Sequence, residues 1–108
     1  MIGIGVTGTD TGIGKTIVSR SIVAALRGSF ARVAAMKPVE SGGTEDAESL
    51  WRATGMTYPM EHVGPVSLAE PLAPLVAARR ATAPVELGVI DDAFERLCAD
   101  IDAVVVEG

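Results

Sequence analysis

Along the chain, short apolar runs alternate with stretches in which apolar positions recur at helical spacing. Ile2–Thr7 is apolar enough to predict a buried first strand, closed by a glycine-rich turn. Residues 15–28 predict a helix with Val18, Ile22, Ala25 and Leu26 on one stripe, Arg20 and Arg27 outside it, and Gly28-Ser29 closing it. Arg32–Met36 predicts a second strand, stopped by Lys37-Pro38. Glu40 to Glu45 reads as a loop, and Glu45–Thr54 as a helix that ends at Gly55. The segment Met56 to Pro71, rich in Pro and Gly, yields only a short strand within Val63–Leu68. Pro71 and Pro74 suit the first turn of a helix that runs through Arg80. A further helix from Glu86 to about Asp100 puts Leu87, Ile90, Phe94, Leu97 and Ile101 on one face and Asp91, Asp92, Glu95 and Arg96 on the other. Ala103–Val106, with three consecutive valines, predicts a central strand of a parallel sheet.

This alternation predicts an α/β fold, a mostly parallel sheet with helices on both faces. In such sheets ligands gather at the carboxyl ends of the strands. That rule puts Gly8–Thr16, Lys37–Gly43 and Glu107-Gly108 on one rim. A buried parallel strand also needs structure on both sides, and nothing follows Gly108. Residues 1–108 are therefore expected to be the N-terminal part of a single domain in a longer protein.

Gly8-Thr9-Asp10-Thr11-Gly12-Ile13-Gly14-Lys15-Thr16 carries the clearest chemistry. Strand, glycine-rich turn and helix start, in that order, aim backbone N–H groups at a phosphate, so the fold class expected is P-loop NTPase-like. The spacing departs from the common pattern, because Thr9 stands where the first glycine belongs and Gly8 lies one residue too early. Lys15 supplies a cation for the outer phosphates, and the Thr16 hydroxyl is placed for Mg²⁺. An acid at the end of a neighbouring strand normally completes such a site, and Glu107 stands there; its plain alternative is an ordinary strand-end carboxylate. Asp46 is a second candidate, although Glu45-Asp46-Ala47-Glu48 also suits the acidic first turn of a helix. Lys37 and Ser41 lie in a polar loop opposite, where a cation would stabilise a phosphoryl group in transfer.

Composition sharpens this picture. Apolar residues make up 48% of 108, enough for a core, and the net charge of −5 argues against a polyanion-binding surface. Seven of the nine basic residues are Arg; the two lysines, Lys15 and Lys37, each follow a predicted strand, and lysine meets phosphate as a point charge. Cys98 is alone, which excludes an internal disulfide, and it reads with Trp51, Met60 and His62 as carrying no chemistry. No stretch is apolar enough to span a bilayer and no secretory leader opens the chain, so a cytoplasmic protein is expected.

Taken together, the motifs resemble one family. Gly8-Thr9-Asp10-Thr11-x-x-Gly14-Lys15-Thr16 looks like the modified phosphate loop of dethiobiotin synthetases. Lys37-Pro38-Val39-Glu40-Ser41-Gly42 is similar to that family's second motif, Asp46-Ala47 to its acidic position and Ala69-Glu70-Pro71-Leu72-Ala73-Pro74 to its Glu-Pro-x-x-Pro segment. Val104-Val105-Val106-Glu107-Gly108 resembles the strand that enters its Glu-Gly-Ala-Gly-Gly motif. The resemblance implies ATP-dependent closure of a cyclic urea from 7,8-diaminononanoate and CO₂, through a phosphorylated carbamate. It implies ATP contacts from Gly12, Ile13, Gly14, Lys15, Thr16 and Ile17, with Asp46, Glu107 and Gly108 beside the nucleotide. It implies Mg²⁺ on Thr16, Asp46 and Glu107, Lys37 and Lys15 as catalytic cations with Thr11 as a third catalytic residue, and Thr11, Lys37 and Ser41 at the substrate. A homodimer is implied for the full-length protein, with small-molecule substrates and no nucleic-acid or membrane partner.

Gly12 stands where many members carry Glu, so that carboxylate's role is missing or supplied elsewhere. Two other readings are a P-loop switch ATPase of the partitioning type and a non-catalytic fragment that needs a complementary chain. The first usually carries an early loop lysine, where this chain has Thr9-Asp10; cobyrinic-acid-type amidating ligases would not be expected to show the Lys37–Gly42 motif.

Overall fold

The computed structural model describes residues 1–8, 13–69 and 87–108. Thr9 to Gly12, the Glu70–Pro74 part of the fourth motif, the helix expected through Arg80 and the expected helix start at Glu86 lie outside the described residues.

The chain forms β1 (Ile2–Val6), α1 (Ile13–Arg27), β2 (Val33–Met36), β3 (Val39–Ser41), α2 (Glu45–Ala53), α3 (Met60–Val63), β4 (Val66–Leu68), α4 (Leu87–Leu97), a 3₁₀ turn over Cys98–Asp100, and β5 (Ala103–Glu107). The main sheet has the order β1-β5-β2 with both pairings parallel, so the last strand is the central one. β5 thereby pairs Val6 with Glu107 on one side and Met36 with Val106 on the other. All four residues of β2 and all but Val106 of β5 are buried. Successive side chains of a strand point to opposite faces, so both faces of these strands are covered. The expected α/β architecture with a parallel sheet is what forms.

α1 lies against β5, β2 and α2, and the Arg27 guanidinium ties its last turn to α2 by donating to the Ala53 carbonyl at 2.7 Å. At the amino ends of β2 and β5, Arg32 N–H donates to Asp102 at 3.0 Å and the Arg32 guanidinium pairs with Asp100 at 2.6 Å. That pair is exposed and contributes little; the paired backbone holds the strand starts together. α2 ends as expected at Gly55, which adopts φ +80°.

Several expectations need correction. β1 is not buried along its length: among the described residues it is an edge strand paired only with β5, and only Val6 is buried. Residues 39–41 are not loop but strand, because they pair in parallel with Val66–Leu68 in a second, two-stranded sheet. The strand expected within Val63–Leu68 is confined to β4, since Met60–Val63 closes a helical turn first.

The helix faces also differ. On α1 the buried positions are Thr16, Ser19 and Val23, flanked by Ile22 and Leu26, while Val18 is 51% exposed and Ala25 is exposed. The inner face was concealed because two of its members are hydroxyls. On α4 the buried pair is Ala93 and Leu97 with Ile90 beside them; Leu87 is 71% exposed and Phe94 is at the surface. The packing seam against α3 runs through the small Ala93, one position from Phe94.

Gly64 marks the tightest helix approach: a Cβ there would lie 2.6 Å from the Ala47 Cβ on α2. At Gly88, in the first turn of α4, a Cβ meets nothing within 4 Å. Gly64→Ala should therefore lower stability by about 1–3 kcal/mol. Gly88→Ala should be neutral or raise it by up to about 1 kcal/mol. Denaturant midpoints of the two variants against the parent check this pair, and equal shifts would refute it.

Candidate active site

The site is organised by one side chain at the carboxyl end of the central strand. Glu107 is 0% exposed, and its carboxylate turns toward the inner face of α1. Thr16 Oγ1 donates to Glu107 Oε2 at 3.2 Å. Ser19, one turn further along the same face, sets its hydroxyl 3.2 Å from Oε1 and 3.0 Å from the Lys15 carbonyl oxygen. One hydroxyl proton serves only one of these acceptors at a time.

The cations come from two other segments. Lys37 follows β2 and is only 7% exposed; its own N–H is fixed by the Val63 carbonyl at 2.8 Å. Its Nζ lies 3.6 Å from Glu107 Oε2, 3.7 Å from Asp46 Oδ2 and 2.9 Å from the Gly108 carbonyl oxygen. Lys15, in the first turn of α1, donates to the same Gly108 oxygen at 2.7 Å. Both lysines of the chain thus meet at one oxygen, from separate strand ends.

The third segment is the start of α2. Glu40, on β3, is buried and accepts from the Asp46 and Ala47 amides at 2.9 and 3.0 Å. These are two of the orphan donors at the helix start. Burial raises the Glu40 pKa above its usual carboxylate value, against the two amide bonds, which favour the charged form. Thr44, at the N-cap position, makes no capping bond and donates instead to Glu48 at 3.0 Å.

Lys15, Thr16, Lys37, Asp46, Glu107 and Gly108 are therefore brought together as the sequence led us to expect. Gly14 lies in the first turn of α1 with no positive φ, and a Cβ there would meet nothing within 4 Å, so neither packing nor backbone conformation calls for glycine. Ile17 follows on the exposed side of α1 and Ile13 opens the helix. Ser41 ends β3, half-buried, with no side-chain hydrogen bond to this cluster among the described residues. Thr11 and Gly12 lie outside the described residues.

Ser19 and Glu40 were missed. Ser19 had a signal: it falls three residues after Thr16, so a helix that turns Thr16 inward turns Ser19 inward as well. Glu40 had none, because Thr44 stood in the ordinary capping place.

Thr16, Asp46 and Glu107 make an oxygen-only donor set of one hydroxyl and two carboxylates, which suits a hard cation. Among the described residues no three His, Cys, Asp or Glu side chains gather into an all-protein metal cage.

The sequence pattern of the AAA domain matches residues 3–108, almost the whole chain. The chain belongs to the AAA domain family. It is also similar to proteins named ATP-dependent dethiobiotin synthetase. One from Methanococcus vannielii is 41% identical over 103 residues, which cover 95% of this chain and 49% of the relative. One from Anaeromyxobacter dehalogenans is 44% identical across all of this chain and 50% of the relative. One from Xylella fastidiosa is 44% identical across 95% of this chain and 49% of the relative. The resemblance drawn from the motifs is borne out, and the chain spans about half the length of the curated relatives it matches.

Removal of the Ser19 hydroxyl leaves a Glu107 oxygen short of a donor in a buried setting. Ser19→Ala should lower stability by about 1–3 kcal/mol, and Ser21→Ala, whose exposed hydroxyl only reaches the Ile17 carbonyl of its own helix, by no more than about 0.5 kcal/mol. Urea denaturation of both variants measures the difference; equal losses would contradict the role given to Ser19.

Proposed function

We propose that this chain carries the phosphate-binding and acidic part of an ATP-dependent dethiobiotin synthetase. The reaction closes a ureido ring on 7,8-diaminononanoate in biotin biosynthesis. The observation that carries the proposal is the buried Glu107 at the end of the central strand, bonded by Thr16 of α1 and faced by Lys37, which also faces Asp46.

CO₂ adds to one amine of the diamine and, with loss of a proton, gives a carbamate. A carbamate oxygen attacks the γ-phosphorus of ATP, and the bond to the bridging oxygen breaks with release of ADP. The second amine then attacks the carbamoyl carbon; phosphate leaves with the C–O bond, a proton is lost and the ring is closed. No covalent nucleophile of the protein is needed, so position and charge neutralisation do the catalysis. Lys15 follows the outer phosphates, and Lys37 faces it from the opposite strand end, where negative charge builds on the transferring phosphoryl group. Gly12 to Ile17 hold the nucleotide through the loop and the helix N-terminus, with Asp46, Glu107 and Gly108 beside it. Thr11 is assigned to the carbamate by the resemblance of its motif, and Ser41 to the substrate. Thr16, Asp46 and Glu107 would hold Mg²⁺, which when bound neutralises phosphate oxygens.

The whole enzyme is proposed to act as a cytoplasmic homodimer on small molecules, without nucleic acid or membrane. The net charge of −5 supports the exclusion of polyanions, and no described helix is long and apolar enough to cross a membrane.

The test uses the product of the full reading frame, supplied with diaminononanoate, bicarbonate and Mg-ATP. Dethiobiotin should appear by mass spectrometry together with substrate-dependent ADP; absence of both would sink the proposal. Lys37→Ala should lower kcat by roughly 10²-fold or more while ADP still binds within a few-fold of the parent affinity. Equal turnover by Lys37→Ala and the parent would remove Lys37 from the reaction.

A further inference from the structure

We infer that Glu40 is a positioning residue, whose buried carboxylate clamps the start of α2 and so presents Asp46 to the site. The inference rests on the proposed assignment of Asp46 to a metal-bearing site and extends it to a residue that touches no reactant.

The geometry is specific. Both Glu40 oxygens are used, one on the Asp46 amide at 2.9 Å and one on the Ala47 amide at 3.0 Å. The first of these fixes the backbone of Asp46 itself, whose carboxylate then stands 3.7 Å from Lys37 Nζ. Glu40 is held in turn: β3 pairs with β4, Gly42 N–H donates to the Leu68 carbonyl at 2.7 Å, and Lys37 N–H to Val63. The clamp therefore joins the segment that carries Lys37 to the helix that carries Asp46.

The connection between them is short and open only to glycine. Gly42 and Gly43 adopt φ +83° and +140°, and a Cβ on Gly43 would collide with the Glu45 carboxylate. A turn of this kind reverses the chain but does not set the angle of the helix that follows. A helix start can be capped cheaply by the residue at the N-cap position, yet Thr44 is turned away to Glu48. A buried carboxylate is costly where a local hydroxyl would suffice. What a reach from β3 adds is a fixed relation between α2 and the Lys37 segment, and with it the position of Asp46.

The experiment measures Mn²⁺ binding by electron paramagnetic resonance in the presence of ADP, on the full reading-frame product. Outer partners of metal ligands characteristically matter by 10–100-fold in affinity. Glu40→Ala should weaken Mn²⁺ binding about tenfold or more, and raise the Mg²⁺ needed for half-maximal turnover in parallel. Glu40→Gln, which keeps one acceptor oxygen, should lie between, and it decides the matter if Glu40→Ala does not fold. Thr44→Ala, at the same helix end, should bind Mn²⁺ like the parent.

Leu50→Val, which loosens α2 through its packing, supplies the control for stability alone. If Glu40→Ala binds Mn²⁺ within twofold of the parent, or Leu50→Val loses as much affinity, the inference is overturned. A parent that binds Mn²⁺ but makes no dethiobiotin removes the ring-closing reading and leaves the Glu40 comparison intact. A parent with ADP that binds no Mn²⁺ overturns both the assignment of Asp46 and this inference.

Discussion

A carboxylate with no exposure to solvent, Glu107 at the end of the central strand, sets the terms for everything around it. A charge withdrawn from water destabilises the fold by several kcal/mol unless donors and a counter-charge replace the lost hydration. Thr16, Ser19 and Lys37 are those replacements, drawn from two different segments. The consequence runs back into the fold. Helix α1 must turn two hydroxyls inward, which rotates Val18 outward, and β2 must end where Lys37 can reach across to β5. Loss of the carboxylate would remove the reason for both arrangements.

The sheet order makes this convergence possible. Because β5 lies between β1 and β2, and all three run parallel, the segments after β1, β2 and β5 leave the sheet at the same rim. The start of α1, Lys37 and Glu107 are then neighbours although the chain between them is long. The start of α2 joins from the side through Glu40, so Asp46 completes the set without belonging to the sheet. Strand ends thus position Lys37 and Glu107, and the starts of helices α1 and α2 position Lys15 and Asp46.

Much of this was legible in the sequence, and the reasons are physical. Strand β5 announces itself through consecutive β-branched residues, and the strand ends are fixed by Lys37-Pro38 and Glu107-Gly108. Parallel sheets place strand ends on one side, so Lys15, Lys37 and Glu107 could be brought together from the strand pattern alone. The helix faces were harder. A stripe read from apolar residues alone passes over Thr16 and Ser19, which are buried for their hydroxyls, and favours Phe94 over the small Ala93 on the actual seam of α4. Strands β3 and β4 have three residues each and depend on one another for their hydrogen bonds, so neither carries a local signal. Glu40 was illegible for the same reason: its role exists only once β3 and α2 are placed.

The charges of the cluster also link nucleotide binding to cation binding. Lys37 faces both Glu107 and Asp46, Lys15 lies nearby in the first turn of α1, and among the described residues no buried side-chain N or O lacks a hydrogen-bond partner. Under the proposed function, an entering phosphate draws the two ammonium groups of Lys15 and Lys37, which can follow it on flexible stems. As the lysines turn to the phosphate, Asp46 and Glu107 lose part of their compensation. Two under-compensated carboxylates beside the Thr16 hydroxyl form the kind of oxygen site that favours a divalent cation. Nucleotide and cation are then expected to stabilise each other's binding, because each restores the charge that the other displaces.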